Sequence, residues 1–540
     1  MLLNIKPKRI ERVRGKEIYG KFCLDDCIAT YTNWINRGCE LMYADSWDFK
    51  FNPYLENVNE PLENRSSDPN EKKWKNLKFY HGVKLIWHRS RANNNMLEDF
   101  RNELNENRPV IIAMDCFYCP WDWGFQKYHN EGHIFLIIGL RDNHSFNCVD
   151  PFFMKKDLVL PMDCFKSGFI RYATINITNS EKKVDLKDLI NTSIFNLFNN
   201  QQGNIFLKIR NFADYINYSF DVQKELGDCK EFSNTTVWYE FELNFYGRIE
   251  YLIMLRYISR RLESSGTYLI EISNHLSSVI ERWQVAKGML GKVFMLKESQ
   301  EMRSRLATKI MEIAEEEEAI ALELVNIHKK GGKKQESTDS SPRFTFINTE
   351  QNTVFLDLSN YYDNKGFGTL SENCIADFTG MGQYFLKDGL PINEIWEIAE
   401  TKFRFPKISE NTLDNISCTG QKISIPIDCY RQIMILGCSE FGDFQEYINV
   451  SYSDGKGEKI LIRFTDWFAE PRYGEKIAWE GLIFYKNWDN NDDACRKRKN
   501  RIFMQKYFVN YNQTISSITL PECPNLHIFA ISLAKMGKIN

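Results

Sequence analysis

The hydrophobic pattern along the chain changes register twice. In the first part, one helical stripe (Leu24, Cys27, Ile28, Tyr31, Trp34 and Ile35) is followed by strand-like runs. These runs are Val83–Trp87, Pro109–Ala113, His133–Gly139 and Phe146–Val149, the signature of an α+β unit. Residues 55–75 are polar with two prolines and predict a surface excursion. From about 185 to 328 the period becomes helical. Ile272, Leu276, Val279, Ile280, Trp283 and Ala286 share one face, while Leu306, Ile310, Ile313, Ile320, Leu324 and Ile327 alternate by fours and threes. Long antiparallel helices follow, broken near Gly266, forming a spacer or dimerisation arm. The acidic run Glu315–Glu318 faces solvent except Glu317, which falls in the apolar seam. After the Gly, Ser and charge-rich stretch Lys329–Pro342, short alternating strands dominate. Ile448, Val450 and Tyr452 precede an Asp454-Gly455 turn, then Ile460, Ile462 and Phe464, with further runs near 477–485, 501–511 and 526–533.

This predicts a multidomain α+β chain: an α+β unit over 1–180, a helical region over 181–328, a linker over 329–342 and an antiparallel β-sandwich over 343–540. The N-terminus breaks into charge after five residues, and the apolar run Ile134–Leu140 is far shorter than the roughly twenty residues of a membrane span. A cytoplasmic protein that neither enters nor crosses a membrane is expected. With 69 Lys and Arg against 72 Asp and Glu, the net charge of −3 lacks the basic excess of a general nucleic-acid binder. The 14 cysteines are scattered and read as reduced thiols.

Three residues suggest chemistry, with a fourth as an alternative to the first. Cys23 opens the first helix, where unpaired N–H groups favour an anion, lower a thiol pKa and offer donors to an oxyanion. His133 heads an apolar strand, and a hairpin returning through Asp142-Asn143 brings Asp150 back to it. The carboxylate then holds the imidazole in the tautomer that accepts the thiol proton. Cys27, one turn further on, is the alternative nucleophile; its place in the apolar stripe favours Cys23. Ionising a thiol that is a few per cent thiolate gains only about thirtyfold, so orientation and an oxyanion site must supply most of the catalysis. Thioesters, whose leaving thiolate needs little protonation, suit such a site better than amides. The spacing Cys116-x2-Cys119-x9-His129-x3-His133 imitates a zinc finger, but Pro120 to Gly124 intervene and His133 opens a strand, so no metal is expected.

At Cys23-Leu-Asp-Asp-Cys27, Glu40–Trp47, Arg108–Asp115 with Tyr118, Tyr128–His133 and Asp150-Pro151, the sequence resembles papain-like bacterial proteins. These are typified by the N-terminal domain of the butirosin-biosynthesis acyltransferase and, more distantly, by bacteriocin-processing cysteine peptidases. The resemblance implies a papain-like domain with a Cys–His–Asp triad. It also implies passage of an acyl group from an acyl or peptidyl carrier protein to the cysteine and then to a small amine, with no cofactor. The peptidases' glutamine before the nucleophile is absent, with Glu at position 17 and Lys at position 21; a hydrolase using the same triad is the first alternative, and a non-catalytic binding protein the second. His129, Asp115 and Tyr118 are expected to line the substrate channel and Trp121 to wall it. In the last region, Asp357–Tyr361, Ala376–Gly382, Phe403–Pro406, Asp414–Gln421 and Thr465-Asp466-Trp467 resemble a galactose-binding-like jelly-roll. This admits a glycan there, and the helical region admits a homodimer.

Overall fold

The run His133–Arg141 is apolar at almost every position because it forms a central strand with both faces covered. In the computed structural model, which describes residues 2–11, 22–49, 51, 71–88, 94–130, 132–141, 144–178, 184–198, 204–229, 231–262, 266–296, 299–325, 353–370, 374–391, 393–485, 499–510 and 513–535, it belongs to a six-stranded sheet. The strands are β1 (Val83–His88), β2 (Val110–Met114), β3 (His133–Arg141), β4 (Ser145–Asp150), β5 (Lys155–Pro161) and β6 (Phe169–Ile177), in the order β1-β6-β2-β3-β4-β5. Every pairing is antiparallel.

Helix α1 (Cys23–Trp34) packs on β3 and is buried over nine of its twelve residues, well beyond the single stripe expected. It ends where Asn36 takes φ 57°, with Asn36 N–H on Asn33 O and Arg37 N–H on Thr32 O, a Schellman closure using Asn in place of Gly. The remaining helices of this unit are α2 (Glu71–His81), α3 (Asn94–Asn105) and α4 (Met162–Gly168). Part of the expected excursion is thus helix: residues 71–75 begin α2, while 52–70 lie outside the described residues. Lys73 explains the difference, because its polar head is buried in ion pairs with Asp25 and Glu250, both at 2.7 Å. A polar residue signals exposure only when no partner of opposite charge folds over it.

Helices α5 (Leu186–Phe198), α6 (Ile205–Tyr218), α7 (Val222–Leu226), α8 (Thr236–Ser259), α9 (Gly266–Met295) and α10 (Gln300–Val325) form the middle region. Rather than projecting as a spacer or arm, they pack against both flanking units. Trp47 lies 5.1 Å from Tyr251 and Phe49 5.9 Å from Trp283, ring to ring. Beside these rings, Glu317 is fully buried and accepts from Arg248 Nε and Nη2 at 2.7 and 2.9 Å, Trp47 Nε1 at 2.9 Å and Trp283 Nε1 at 2.6 Å. Arg248 also donates to the carbonyls of Asp48 and Asn244. A buried charge pair survives only with its remaining hydrogen-bonding capacity filled, and here two indole donors and two backbone carbonyls do so.

The expected linker over 329–342 lies outside the described residues. The C-terminal region is a β-sandwich whose long strands Lys422–Ser439 and Glu522–Lys535 pair antiparallel at its centre. The Phe444–Tyr452 and Gly457–Phe464 strands form the expected hairpin, with Gly455 in its turn at φ 84°, a conformation that costs glycine nothing. Lys292 of α9 and Lys309 of α10 anchor this region to the helices through Glu440 (2.8 Å) and Glu446 (3.1 Å). Among the described residues no helix is long and apolar enough to cross a membrane.

Candidate active site

Cys23 is the first residue of α1, and Phe22 at the cap supplies no side-chain acceptor to the helix end. The first-turn amides of a helix have no intrahelical partners and carry its positive pole. Cys23 is 3% exposed and hydrogen-bonds the His133 imidazole. His133 reaches it from the start of β3. In the β3–β4 pairing, Leu136 faces Val149, so Asp150 stands opposite Phe135 and diagonal to His133 on the same side of the sheet. Its Oδ2 sits 2.6 Å from His133 Nε2. With Nε2 engaged there, Nδ1 is the ring nitrogen left for the thiol.

Asp150 is completely buried. Its Oδ2 also accepts from Trp121 Nε1 at 2.7 Å and its Oδ1 from the Phe153 amide at 3.2 Å. Burial alone pulls the His133 pKa down, but hydrogen bonds to Asp150 and Cys23 and the charges of both carry it up to about 10. The imidazole is therefore held toward its protonated form.

Cys27 occupies a different environment one turn along. It is fully buried, its Sγ points to Ile134 O at 3.7 Å, and desolvation pushes its thiol well up, reinforced by the charge of Asp150. That is the setting of an inert core cysteine.

The residues expected to line the channel divide into two groups. His129 Nδ1 lies 2.6 Å from Asp115 Oδ2, and its ring stacks on Phe117 at 4.3 Å while its side chain remains 63% exposed. Partial burial raises the Asp115 pKa, but the His129 bond and the amides of Phe117 and Asn130 outweigh it and hold the carboxyl below its ordinary value. Tyr118 packs against Gly168 and edge-on to His129. The hydrogen bonds of His129 and Asp115 thus run to each other and to this loop. Trp121, expected to wall the channel, turns its indole N–H onto Asp150 and its ring onto Phe135. Of the zinc-like set, Cys116 Sγ donates to Tyr128 O, Cys119 is fully buried, and the two histidines face different aspartates. Among the described residues no group of three or more His, Cys, Asp or Glu side chains is arranged to hold a metal ion.

Sequence reasoning missed three features. Asp122, between two tryptophans, places Oδ2 3.7 Å from His133 Nδ1, while its Oδ1 accepts the Gly124 amide at 2.8 Å. Phe152, Phe153 and Trp123 build an aromatic corner beside His133, the three rings meeting at 75–90°. The third is at the first turn of α1, where Asp25 accepts from Tyr43 Oη and Lys73 Nζ, each at 2.7 Å, and Asp26 from the Ile10 amide at 3.0 Å. An aspartate in a Trp-Asp-Trp stretch was the available signal for Asp122; the others depend on residues far away in the chain.

No curated protein matches the chain. Residues 35–151 match the family of the N-terminal domain of butirosin biosynthesis protein H, a segment that contains His133 and Asp150 and begins after Cys23. Residues 350–536 match the AziU2-like β-sandwich domain family. One segment of the chain is thus similar to the butirosin biosynthesis protein H N-terminal family and another to the AziU2-like β-sandwich family.

Proposed function

We propose that the protein is a biosynthetic enzyme whose N-terminal unit is a cysteine-dependent acyltransferase forming an amide. The observation that carries this reading is the line Cys23, His133, Asp150 at the N-terminus of a helix, with Asp150 bound to Nε2 so that Nδ1 addresses the sulfur. The match to a butirosin-biosynthesis family supports natural-product assembly as the setting. Cys23 Sγ attacks a carrier-protein thioester carbonyl, the carrier thiol leaves, and the acyl group becomes a thioester on Cys23. A small amine then attacks. The C–N bond forms, the C–S bond breaks, and the amine proton passes through His133 to Sγ. First-turn amides of α1 supply oxyanion donors, each typically worth ~10²–10³ in rate. Asp150, locked by Trp121 and Phe153, keeps the imidazole oriented through both halves.

Intact-mass spectrometry after incubation with an acyl thioester tests this directly. An acyl adduct is expected on the wild-type protein and on Cys27→Ala, and none on Cys23→Ala. Adducts on both variants, or on neither, would sink the assignment of Cys23. Product analysis with amines present separates transfer from hydrolysis.

A further inference from the structure

The stretch Trp121-Asp122-Trp123 touches the site on three sides. Trp121 donates to Asp150, Trp123 closes the aromatic corner, and Asp122 reaches the Nδ1 edge of His133, the edge that faces Cys23. The Asp122 side chain is only 10% exposed. Its Oδ1 is held by the Gly124 amide, which aims Oδ2 at the site, and among the described residues no hydrogen-bond donor lies on Oδ2; the nearest cationic atom is His133 Nδ1 at 3.7 Å. A carboxylate largely withdrawn from water but with one oxygen still reachable gains most from a charge-assisted N–H donor. From the sulfur side, such a donor arrives in the second half of the reaction, when the acyl group already sits on Cys23.

Resting on the acyltransferase reading above, we infer that Asp122 binds the acceptor amine: Oδ2 accepts an N–H of the incoming ammonium beside the Cys23 thioester, so that this site takes cationic primary amines in preference to water or neutral nucleophiles. The ammonium releases one proton to solvent on becoming the free amine. The amine nitrogen attacks the thioester carbonyl, its second proton goes to His133 Nδ1 and on to the departing Cys23 sulfur, and Asp122 keeps its charge throughout. Asp122 is thereby a residue of acceptor specificity, separate from Asp150, which acts on the imidazole.

The test uses the full chain, acetyl-N-acetylcysteamine as donor, and two acceptors: n-butylamine, cationic in neutral solution, and hydroxylamine, neutral there. Asp122→Asn keeps the oxygen that accepts from Gly124. It is expected to raise the KM for n-butylamine about 10- to 100-fold, the loss of one charge-assisted hydrogen bond. The KM for hydroxylamine, the rate of acetyl-Cys23 formation and the rate of Cys23 alkylation by iodoacetamide should stay within about twofold. An unchanged n-butylamine KM overturns the proposal. Equal losses with both acceptors and in alkylation overturn it too, because Asp122 would then act through His133 or the loop. A wild-type protein that forms no acyl-Cys23 fails at the earlier step and removes the parent reading, a result distinct from either of these.

Discussion

Among the described residues two histidines are buried against carboxylates, one in the N-terminal sheet and one where α9 meets the sandwich, and they are driven in opposite directions. His133 lies 2.6 Å from Asp150 and is carried up to about 10. His527, fully buried, places Nδ1 2.7 Å from Asn415 Oδ1 and Nε2 3.3 Å from Glu440. Its pKa is lowered to about 4, chiefly by burial, with the Lys292 charge adding to it and Glu440 opposing. The difference lies in who holds the carboxylate. Glu440 is already neutralised by Lys292 at 2.8 Å. Asp150 receives only the neutral donors Trp121 and Phe153 besides its histidine, and no lysine or arginine among the described residues bonds to it. A buried His–carboxylate pair is therefore not by itself a site. His133 differs in being the only cation on its carboxylate and in having a thiol as its second partner.

The largest effect should come from deleting the two rings in turn. His133→Ala is expected to cut acyl-Cys23 formation about 10²–10⁴-fold, whereas His527→Ala should leave it within about twofold. Equal losses in a stopped acylation assay would erase the contrast. Next, Lys292→Met leaves Glu440 buried without its lysine and should cost about 3–5 kcal/mol in urea unfolding. It should also turn His527 into the sole cation of Glu440 and raise its pKa above the ordinary histidine value, as for His133. A His527 NMR titration that stays low in this variant would refute the account. The smallest effect is in the pH dependence of stability, and its signs oppose. Native His133 binds a proton that the unfolded chain, near 6.5, releases, so its contribution is complete below about 6.5 and is lost as pH rises toward 10. Native His527 stays neutral while the unfolded chain protonates, so its contribution is complete above about 6.5 and is lost as pH falls toward 4. Unfolding curves of His133→Gln and His527→Gln against wild type should separate these two slopes.

Much of this was legible in the chain. The strands at 83, 110, 133 and 145 announce themselves because apolar runs bounded by turn residues are a local property of the backbone and its neighbours. The same holds for the α9 and α10 seams, including buried Glu317. The pairing of His133 with Asp150 followed from hairpin length alone. The helical region's docking onto both flanking units was not legible, because Trp47 and Phe49 give no sign in sequence that their partners are Tyr251 and Trp283. Nor was Lys73, whose polarity reads as solvent until Asp25 and Glu250 arrive from elsewhere.

Candidate chemical residues and the rough places where the chain changes architecture can be read along the chain, since periodicity, turn residues and helix-end chemistry act over a few residues at a time. Which of two cysteines one helical turn apart meets the imidazole, and which packs into the core, is set by contacts between elements remote in the chain. The same contacts make Trp121 a donor for Asp150 and bring Asp122 to the other edge of His133. Those outcomes depend on burial and on partners remote in the chain, and a charge or thiol takes its character from what surrounds it once water is excluded.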